Sequence, residues 1–426
     1  MARWLDSPVP GRPSDAMAMI LTNRNYRLLF SASAISNLGD GISVLAFPWL
    51  ASLITRDAGM VALVAFAGRI PWLLLSIPAG VITDRMDRAR LIVQADVLRL
   101  LLTLGVIAVI FSLPDLPPPG SPLPYISALA ALAFLLGSAE VLRDNAAQTM
   151  LPSVVDKSDL ERANGQIWSI EQIMGSFVGP PLAGVLIALA LPAPFALDAL
   201  TFGLAAWLVW CMVLPPFAAP LRRPLKVEVA EAWQWLRQHP VVLRLAVMLG
   251  LMNAFALMGI TILVLFAQDV LGLNATGHGL LLTAAAAGGV LGGLYCPALA
   301  TRLGAQRSLW LALAILPISM AMIAVATHWS VVALALFIEM GAAMLWNVVT
   351  VSYRQRLIPD AMLGRVNSLY RFFGWGIAPI GALIAGAVVT LVEPDLGRDI
   401  ALRAPYALAA FGGFLMTAYG CWKLRL

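Results

Sequence analysis

Charge is scarce in this chain. Of its 426 residues 12% are charged and 60% apolar, where soluble domains run near a quarter and a half. Lysine is almost missing: Lys157, Lys226 and Lys423 are the whole supply, and none sits in the Gly-Lys-Ser/Thr setting of a phosphate-binding loop. Energy from ATP bound by this chain is thereby excluded. Zinc-protease and hydrolase-elbow patterns are lacking too, so an enzyme is not expected. Cysteine is limited to Cys211, Cys296 and Cys421, all in or beside apolar runs, which excludes a disulfide framework. Histidine is limited to His239, His278 and His328, without a second histidine or a cysteine beside any of them, so no metal site is expected. The first 26 residues contain Asp6, Pro8, Pro10, Pro13 and Asp15 and lack the ordered apolar core and cleavage site of a signal peptide. They read as a short cytoplasmic tail.

What the chain has in abundance is long apolar runs. Mean hydropathy is +0.85, and run after run reaches the roughly twenty residues that cross about 30 Å of hydrocarbon. We read twelve spans, near 27–54, 58–82, 91–112, 125–149, 164–190, 195–215, 241–267, 278–300, 307–326, 330–353, 367–392 and 403–422. The expected fold is an all-α membrane protein. Its basic residues alternate by side. Arg24, Arg85, Arg88, Arg90, Lys157, Arg162, Arg222, Arg223, Lys226, Arg237, Arg302, Arg307, Arg356, Arg365, Lys423 and Arg425 fall on one side, and Arg56, Arg398 and Arg403 on the other. The rich side is expected to be cytoplasmic, with both termini there. The net charge of +5 is thus an orientation signal and implies no nucleic acid.

The most telling segment is the charged turn Gly80-Val-Ile-Thr-Asp84-Arg85-Met-Asp87-Arg88-Ala-Arg90. A worn copy recurs from Pro297 to Arg307, keeping Arg302, Gly304 and Arg307, with Thr301 in the place of Asp84. Further landmarks repeat in order. Leu151-Pro152 and Arg162-Ala-Asn164 are echoed by Ile358-Pro359 and Arg365-Val-Asn367, and Gly179-Pro180 by Ala378-Pro379. Two duplicated halves with a site between them are a common plan for transporters. The expected organisation is a tail 1–26, a six-helix bundle 27–215, a linker 216–240 and a second bundle 241–426. The linker places Val229, Trp233 and Leu236 on one helical face, which suits either a helix lying on the membrane or a soluble linker helix.

At this point the chain resembles the major facilitator superfamily. The Gly80–Arg90 turn is similar to that superfamily's loop motif between spans 2 and 3, with Asp87 where glycine is usual. Gly175-Ser-Phe-Val-Gly179-Pro180-Pro-Leu-Ala183-Gly184 resembles the span-5 motif of drug:proton antiporters, with Ala183 replacing one glycine. Asn23–Phe30, Ser36–Asp40, Asp198–Phe202 and Arg354–Pro359 resemble the macrolide and enterobactin exporter branch. The resemblance covers nearly the whole chain. It implies two pseudo-symmetric six-helix bundles and a pathway lined by spans 1, 4, 7 and 10. It makes Gly80, Asp84, Arg85, Arg88 and Arg90, with Arg302 and Arg307 in the echo, a conformational latch.

Charges at bilayer depth are costly and mark function by default. Asp40 in span 1 and Arg69 in span 2 lie at equal depth. They form either a permanent ion pair or one that breaks as Asp40 takes up a proton. Glu140 and Arg143 stand one turn apart in span 4, and Glu171 in span 5 can face Glu140. Asp96 and Arg99 read as structural support for the neighbouring turn, and Asp198 as a helix-start or interface residue near the outer end of span 6. Gly175, Gly179, Pro180 and Gly184 form either a hinge or plain small-residue packing in span 5. By the resemblance Asn37, Asn253, Glu339, Trp346 and Asn347 line the pathway. The reading is a secondary transporter of the bacterial inner membrane, monomeric and in contact with lipid. It needs no cofactor and takes its energy from the proton gradient. It exports a drug-, macrolide- or siderophore-like amphipathic molecule in exchange for protons. Alternatives are an uptake symporter or lipid flippase on the same fold and, from another class, a membrane sensor or assembly factor.

Overall fold

The computed structural model describes residues 19–156, 159–214 and 225–424. Most of the expected tail, Lys157, Arg222, Arg223 and Arg425 lie outside the described residues, as do the side chains of Asp84 and Lys226. The helices are α1 (Arg24–Ile54), α2 (Ala58–Arg85), α3 (Arg88–Ser112), α4 (Leu123–Met150), α5 (Leu160–Gln172), α6 (Gly179–Leu189), α7 (Ala193–Trp210), α8 (Leu225–Gln238), α9 (Pro240–Asp269), α10 (Ala275–Leu303), α11 (Ala305–Ala324), α12 (Trp329–Leu357), α13 (Asp360–Gly376) and α14 (Ala378–Lys423). A π-helical turn, Ile173–Val178, joins α5 to α6.

Among the described residues eleven helical stretches are long and apolar enough to span a membrane. The last, Arg365–Lys423, is 59 residues, ~90 Å if straight and far more than one crossing needs. It reverses at Gly397, where φ is 78°, a value that glycine adopts without strain. Before this point Gly381 lies against Ala254; after it Tyr406 lies on Gly259 and Gly412 on Phe255. The two parts of α14 therefore run in opposite directions along α9, and the described residues make twelve crossings. Leucines and aromatics such as Leu101, Phe111, Leu189, Trp210, Leu294 and Phe411 stay exposed around the rim, where hydrocarbon rather than water is their solvent.

The arginine-rich ends of the spans meet on one side. Asn23 donates to the Val154 carbonyl at 2.8 Å, Arg88 to Ser153 Oγ at 3.4 Å, and Gln306 to the Leu424 carbonyl at 2.8 Å. We call this the basic side. At the far side Arg403 caps α11 by donating to the carbonyls of Ala324 and Ala326, at 3.0 and 2.7 Å.

The halves repeat each other in packing. α2 lies on α4 as α10 lies on α12, and α3 lies on α7 as α11 lies on the second part of α14. Small residues set these approaches: Gly68 against Gly137 in one half, and Gly288 and Gly292 against Phe337 and Gly341 in the other. Between the halves, α6 packs on α10 and α2 on α14. The linker helix α8 sits on α13 of the second half. Glu231 accepts from Arg365 at 2.6 Å, and Trp233 stacks on Phe373 with centroids 5.9 Å apart. Its buried face is Ala232, Trp235 and Leu236, while Val229 and Trp233 remain exposed. The expected face of Val229, Trp233 and Leu236 is thus rotated, because the helix docks on protein.

Candidate functional site

A ladder of buried charge runs through the first half. Arg99 of α3 donates from Nη2 to Asp40 of α1 and, at 3.0 Å, from Nη1 to Ser36 of the same helix. The same Nη1 lies 3.4 Å from Asp96 Oδ1. That oxygen is also 3.8 Å from Nε of Arg143 on α4, whose Nη1 reaches Asp144 at 3.3 Å. The order is Asp40, Arg99, Asp96, Arg143, Asp144. The three inner members are sealed, with 2% exposure at Arg99, 0% at Asp96 and 1% at Arg143; the end carboxylates are open, at 24% for Asp40 and 30% for Asp144. Phe202 of α7 lies 3.8 Å below the Arg99 guanidinium, a cation–π contact that helps to hold a desolvated charge.

Local sequence explains the placement. Asp96 and Arg99 are one helical turn apart, so both point from α3 to the same side. Gly39 lets Asp198 and Thr201 of α7 lie directly on α1, so that α3, packed on α7, delivers Arg99 beside Asp40. Asp198 is fully buried and accepts from Ser43 at 2.6 Å. It is an interior residue of the site, not a helix start.

The expected pairing of Asp40 with Arg69 is corrected: the cation on Asp40 is Arg99. Equal depth brought Arg69 to notice, but depth does not fix direction around a helix. Arg69 is on an exposed face of α2, within electrostatic reach of Asp40 and Glu140. Arg143 likewise pairs with Asp96 and Asp144 rather than with Glu140. Glu140 and Asp144 share a face of α4, and Glu171, at the end of α5, is within reach of Asp144 and Arg143. Asp96 and Arg99, read as support for the turn, are the middle of the ladder. Their signal in the sequence was the pair of opposite charges at helical spacing inside an apolar run.

Span 5 carries two kinds of contact. Gly175 and Gly179 let the π turn and the start of α6 lie on α1, with Gly179 placed 2.6 Å (as a built Cβ) from Gly41 Cα. π turns interrupt helices most often at functional sites. Pro180 and Gly184 face α10 of the other half instead, where Thr276 donates to the Gly184 carbonyl at 3.3 Å. Other polar bonds between the halves lie at the same far side: Arg56 to Gln268 and, at 3.3 Å, to Asp269, and Gln268 to Ser52 at 2.8 Å. His278 is buried there beside Trp49. Toward the basic side α5 packs on α1 of its own half, and Trp168, Ile173 and Phe177 are exposed. The polar contacts between the halves named here all lie at the far side of the seam.

Of the residues expected to line a pathway, Asn347 is exposed and Glu339 partly so, and they stand eight residues apart on one face of α12. Glu339 Oε2 has no hydrogen-bond partner among the described residues. Asn37 donates to the Ser33 carbonyl of its own helix at 3.0 Å, and Asn253 to the Gly374 carbonyl of a neighbouring span at 2.7 Å. Trp346 is 1% exposed and lines nothing; its large ring fills the core of the second half. In the charged turn Asp87 caps α3, accepting from the Arg90 amide at 2.8 Å, which accounts for aspartate where the superfamily has glycine. Gly80 faces open space, and Arg85 and Arg90 are exposed. In the echo Gly304 makes the turn with φ 79°, and Arg302 and Arg307 are exposed. No group of three metal-ligating side chains occurs among the described residues.

Among the described residues, twelve crossings in two repeated halves, bonded to each other at the far side and with a charged interior in the first half, have the architecture of a polytopic membrane transporter. The chain belongs to the major facilitator superfamily, in the family of transmembrane secretion effectors, whose model matches residues 16–419. It is 26% identical over 380 residues to the multidrug efflux pump Tap of Mycolicibacterium fortuitum, covering 84% of this chain and 88% of Tap. It is 26% identical over 411 residues to the enterobactin exporter EntS of Citrobacter koseri, covering 95% and 94%. The fold matches a bacterial homologue of the iron transporter ferroportin in its inward-facing state with a TM-score of 0.70 at 18% identity, covering 93% of this chain and 99% of the other. The outward-facing form of that homologue matches at 0.59, with 19% identity and 93% and 98% coverage.

Proposed function

We propose that the protein exports an amphipathic small molecule, drug-like or siderophore-like, in exchange for protons. The observation that carries this reading is the charge ladder. It holds three carboxylates for two guanidiniums, and a surplus negative charge inside a membrane protein is costly unless something neutralises it. A proton on an exposed end, Asp40 or Asp144, does so. The relatives named as a multidrug efflux pump and an enterobactin exporter support the outward direction.

In this reading the basic side is cytoplasmic by the distribution of arginine, and the protein lies in the bacterial inner membrane with both termini inside. The seam, held by polar bonds at the far side, then admits substrate from the cytoplasm at its basic side. Asp40 gives up its proton as substrate binds, the Gly80–Arg90 turn latches the cytoplasmic side while the molecule opens outward, and a proton from outside resets it. Span 5 serves as the hinge, its Gly175 and Gly179 moving on α1 while Pro180 and Gly184 part from α10. Glu339 and Asn347 offer polar contacts to substrate from the second half.

The test is transport in inverted membrane vesicles energised to an acid interior. A neutral macrolide, an organic cation and a catechol siderophore serve as the panel. The reading expects uptake of at least one of them, accompanied by proton loss from the vesicle and abolished by Asp40→Asn. Movement of substrate and protons in the same direction identifies a symporter and rejects antiport.

A further inference from the structure

We infer that Asp96 is the positioning residue of the ladder, which shares one surplus negative charge between Asp40 and Asp144 so that a proton on either is felt by the other. This inference rests on the reading that Asp40 couples transport to protons.

The geometry has three parts. First, Asp96 serves both guanidiniums through a single oxygen: Oδ1 is 3.4 Å from Arg99 and 3.8 Å from Arg143, while Oδ2 has no hydrogen-bond partner among the described residues. Such a carboxylate can improve its bond to one arginine at the expense of the other. Second, each arginine has its other carboxylate at an accessible end of the ladder. Third, the ladder climbs through the membrane. At the helical rise Asp40 stands ~24 Å along its helix from the basic end, Arg99 ~16 Å, Asp96 ~12 Å, Arg143 ~10 Å and Asp144 ~9 Å. A carboxylate at mid-membrane is thereby tied to one near the basic surface.

Partner exchange follows from Coulomb attraction in a medium of low polarisability. When Asp40 takes a proton from water it loses its charge, and Arg99 draws closer to Asp96. The long Asp96–Arg143 contact gives way first, and Arg143 turns to Asp144, already at 3.3 Å. Asp144 is then held in its charged form while Asp40 is neutral. Loss of the proton from Asp40 reverses the exchange. The surrounding charged groups are Arg69 on α2, Glu140 on α4, Glu171 on α5 and Asp198 on α7, all within electrostatic reach of Asp40 or Glu140 and none a member of the ladder. Their charges set the background against which the two ends compete. Phe202 and Ser36 remain partners of Arg99 as it shifts between Asp40 and Asp96.

The test is infrared titration of the full-length purified protein, following the carboxylic C=O band that Asp40→Asn removes. With Asp96 present, Asp144→Asn is expected to move the midpoint of that band by about one pH unit, the size at which two sites titrate as a coupled pair. In the Asp96→Asn background the same change is expected to move it by less than a quarter as much. Asp96→Glu, which keeps the charge, retains most of the shift. Arg143→Lys cuts the bridge from the other side, since one ammonium cannot span both carboxylates as a guanidinium does; it is expected to abolish the shift even where Asp96→Asn does not fold. An undiminished shift in either folded background overturns the inference. An Asp40 that takes up no proton between roughly pH 4 and 9 overturns the coupling reading, and this inference with it.

Discussion

The two halves share a frame and differ in what they put inside it. In the first, α1, α3 and α4 meet around five linked charges. In the second, the corresponding interior is held by Trp346, Tyr406 and Phe266, with Tyr406 donating to the Gly259 carbonyl at 2.9 Å. Arg354 is the nearest equivalent of a buried arginine there. It is satisfied by Asn367 at 2.7 Å and by the Tyr370 ring at 3.7 Å, with no carboxylate paired to it among the described residues. The helix approaches through glycine are kept in both halves. Packing is therefore what the duplicated fold requires, and among the described residues the ladder is an addition carried by the first half alone.

The largest effect that sharpens this contrast is at Arg99. Removing it as Arg99→Leu leaves Asp40 without its paired cation and Asp96 with only the 3.8 Å contact to Arg143, and is expected to destabilise by about 3–5 kcal/mol. Arg354→Leu in the second half strands only neutral partners and is expected to lose about 1–3 kcal/mol. Thermal unfolding of both variants in detergent checks the order; equal losses would remove the contrast.

A smaller effect should be the same in both halves. A Cβ at Gly41 would come 2.8 Å from the carbonyl carbon of Gly175, and one at Gly381 equally close, 2.8 Å, to that of Ala254. Gly41→Ala and Gly381→Ala should each destabilise by about 1–3 kcal/mol. A large difference between them, seen in the same unfolding assay, would mean that packing has diverged along with charge.

Span positions were legible because twenty apolar residues have few other uses, and the reversal at Gly397 was legible from the charged interval between the last two runs. The partners of buried charges were not. Arg69 and Arg99 are alike in sequence terms, each an arginine inside an apolar run, and only the azimuth set by helix packing decides which meets Asp40. Trp346 shows the same limit: an aromatic at membrane depth can face a pathway or fill a core, and here it fills the core. The linker face failed for a related reason, since docking on α13 turned Trp235 inward in place of Trp233. Asn347 is exposed and Glu339 half-buried, so polarity alone does not tell a residue facing a pathway from one held inside the bundle.

The smallest effect is at the far side of the seam. Arg56 bridges to Asp269 with its side chain 54% exposed, and exposed pairs contribute only about 0–1 kcal/mol. Arg56→Ala should leave unfolding almost unchanged, while labelling of a cysteine placed at Ser52 rises as the halves part more easily. Unchanged labelling would show that the apolar contacts of α6 with α10 and α2 with α14 hold the seal alone.

The central claim, that proton coupling belongs to the first half and substrate contact extends to the second, is tested most directly by comparing Asp40→Asn with Glu339→Gln in inverted vesicles, measuring proton and substrate flux together. The account predicts that Asp40→Asn abolishes proton-driven transport while substrate exchange persists, and that Glu339→Gln keeps the proton-to-substrate ratio but changes which compounds are carried. Normal proton-driven transport by Asp40→Asn, or loss of coupling in Glu339→Gln, would contradict it.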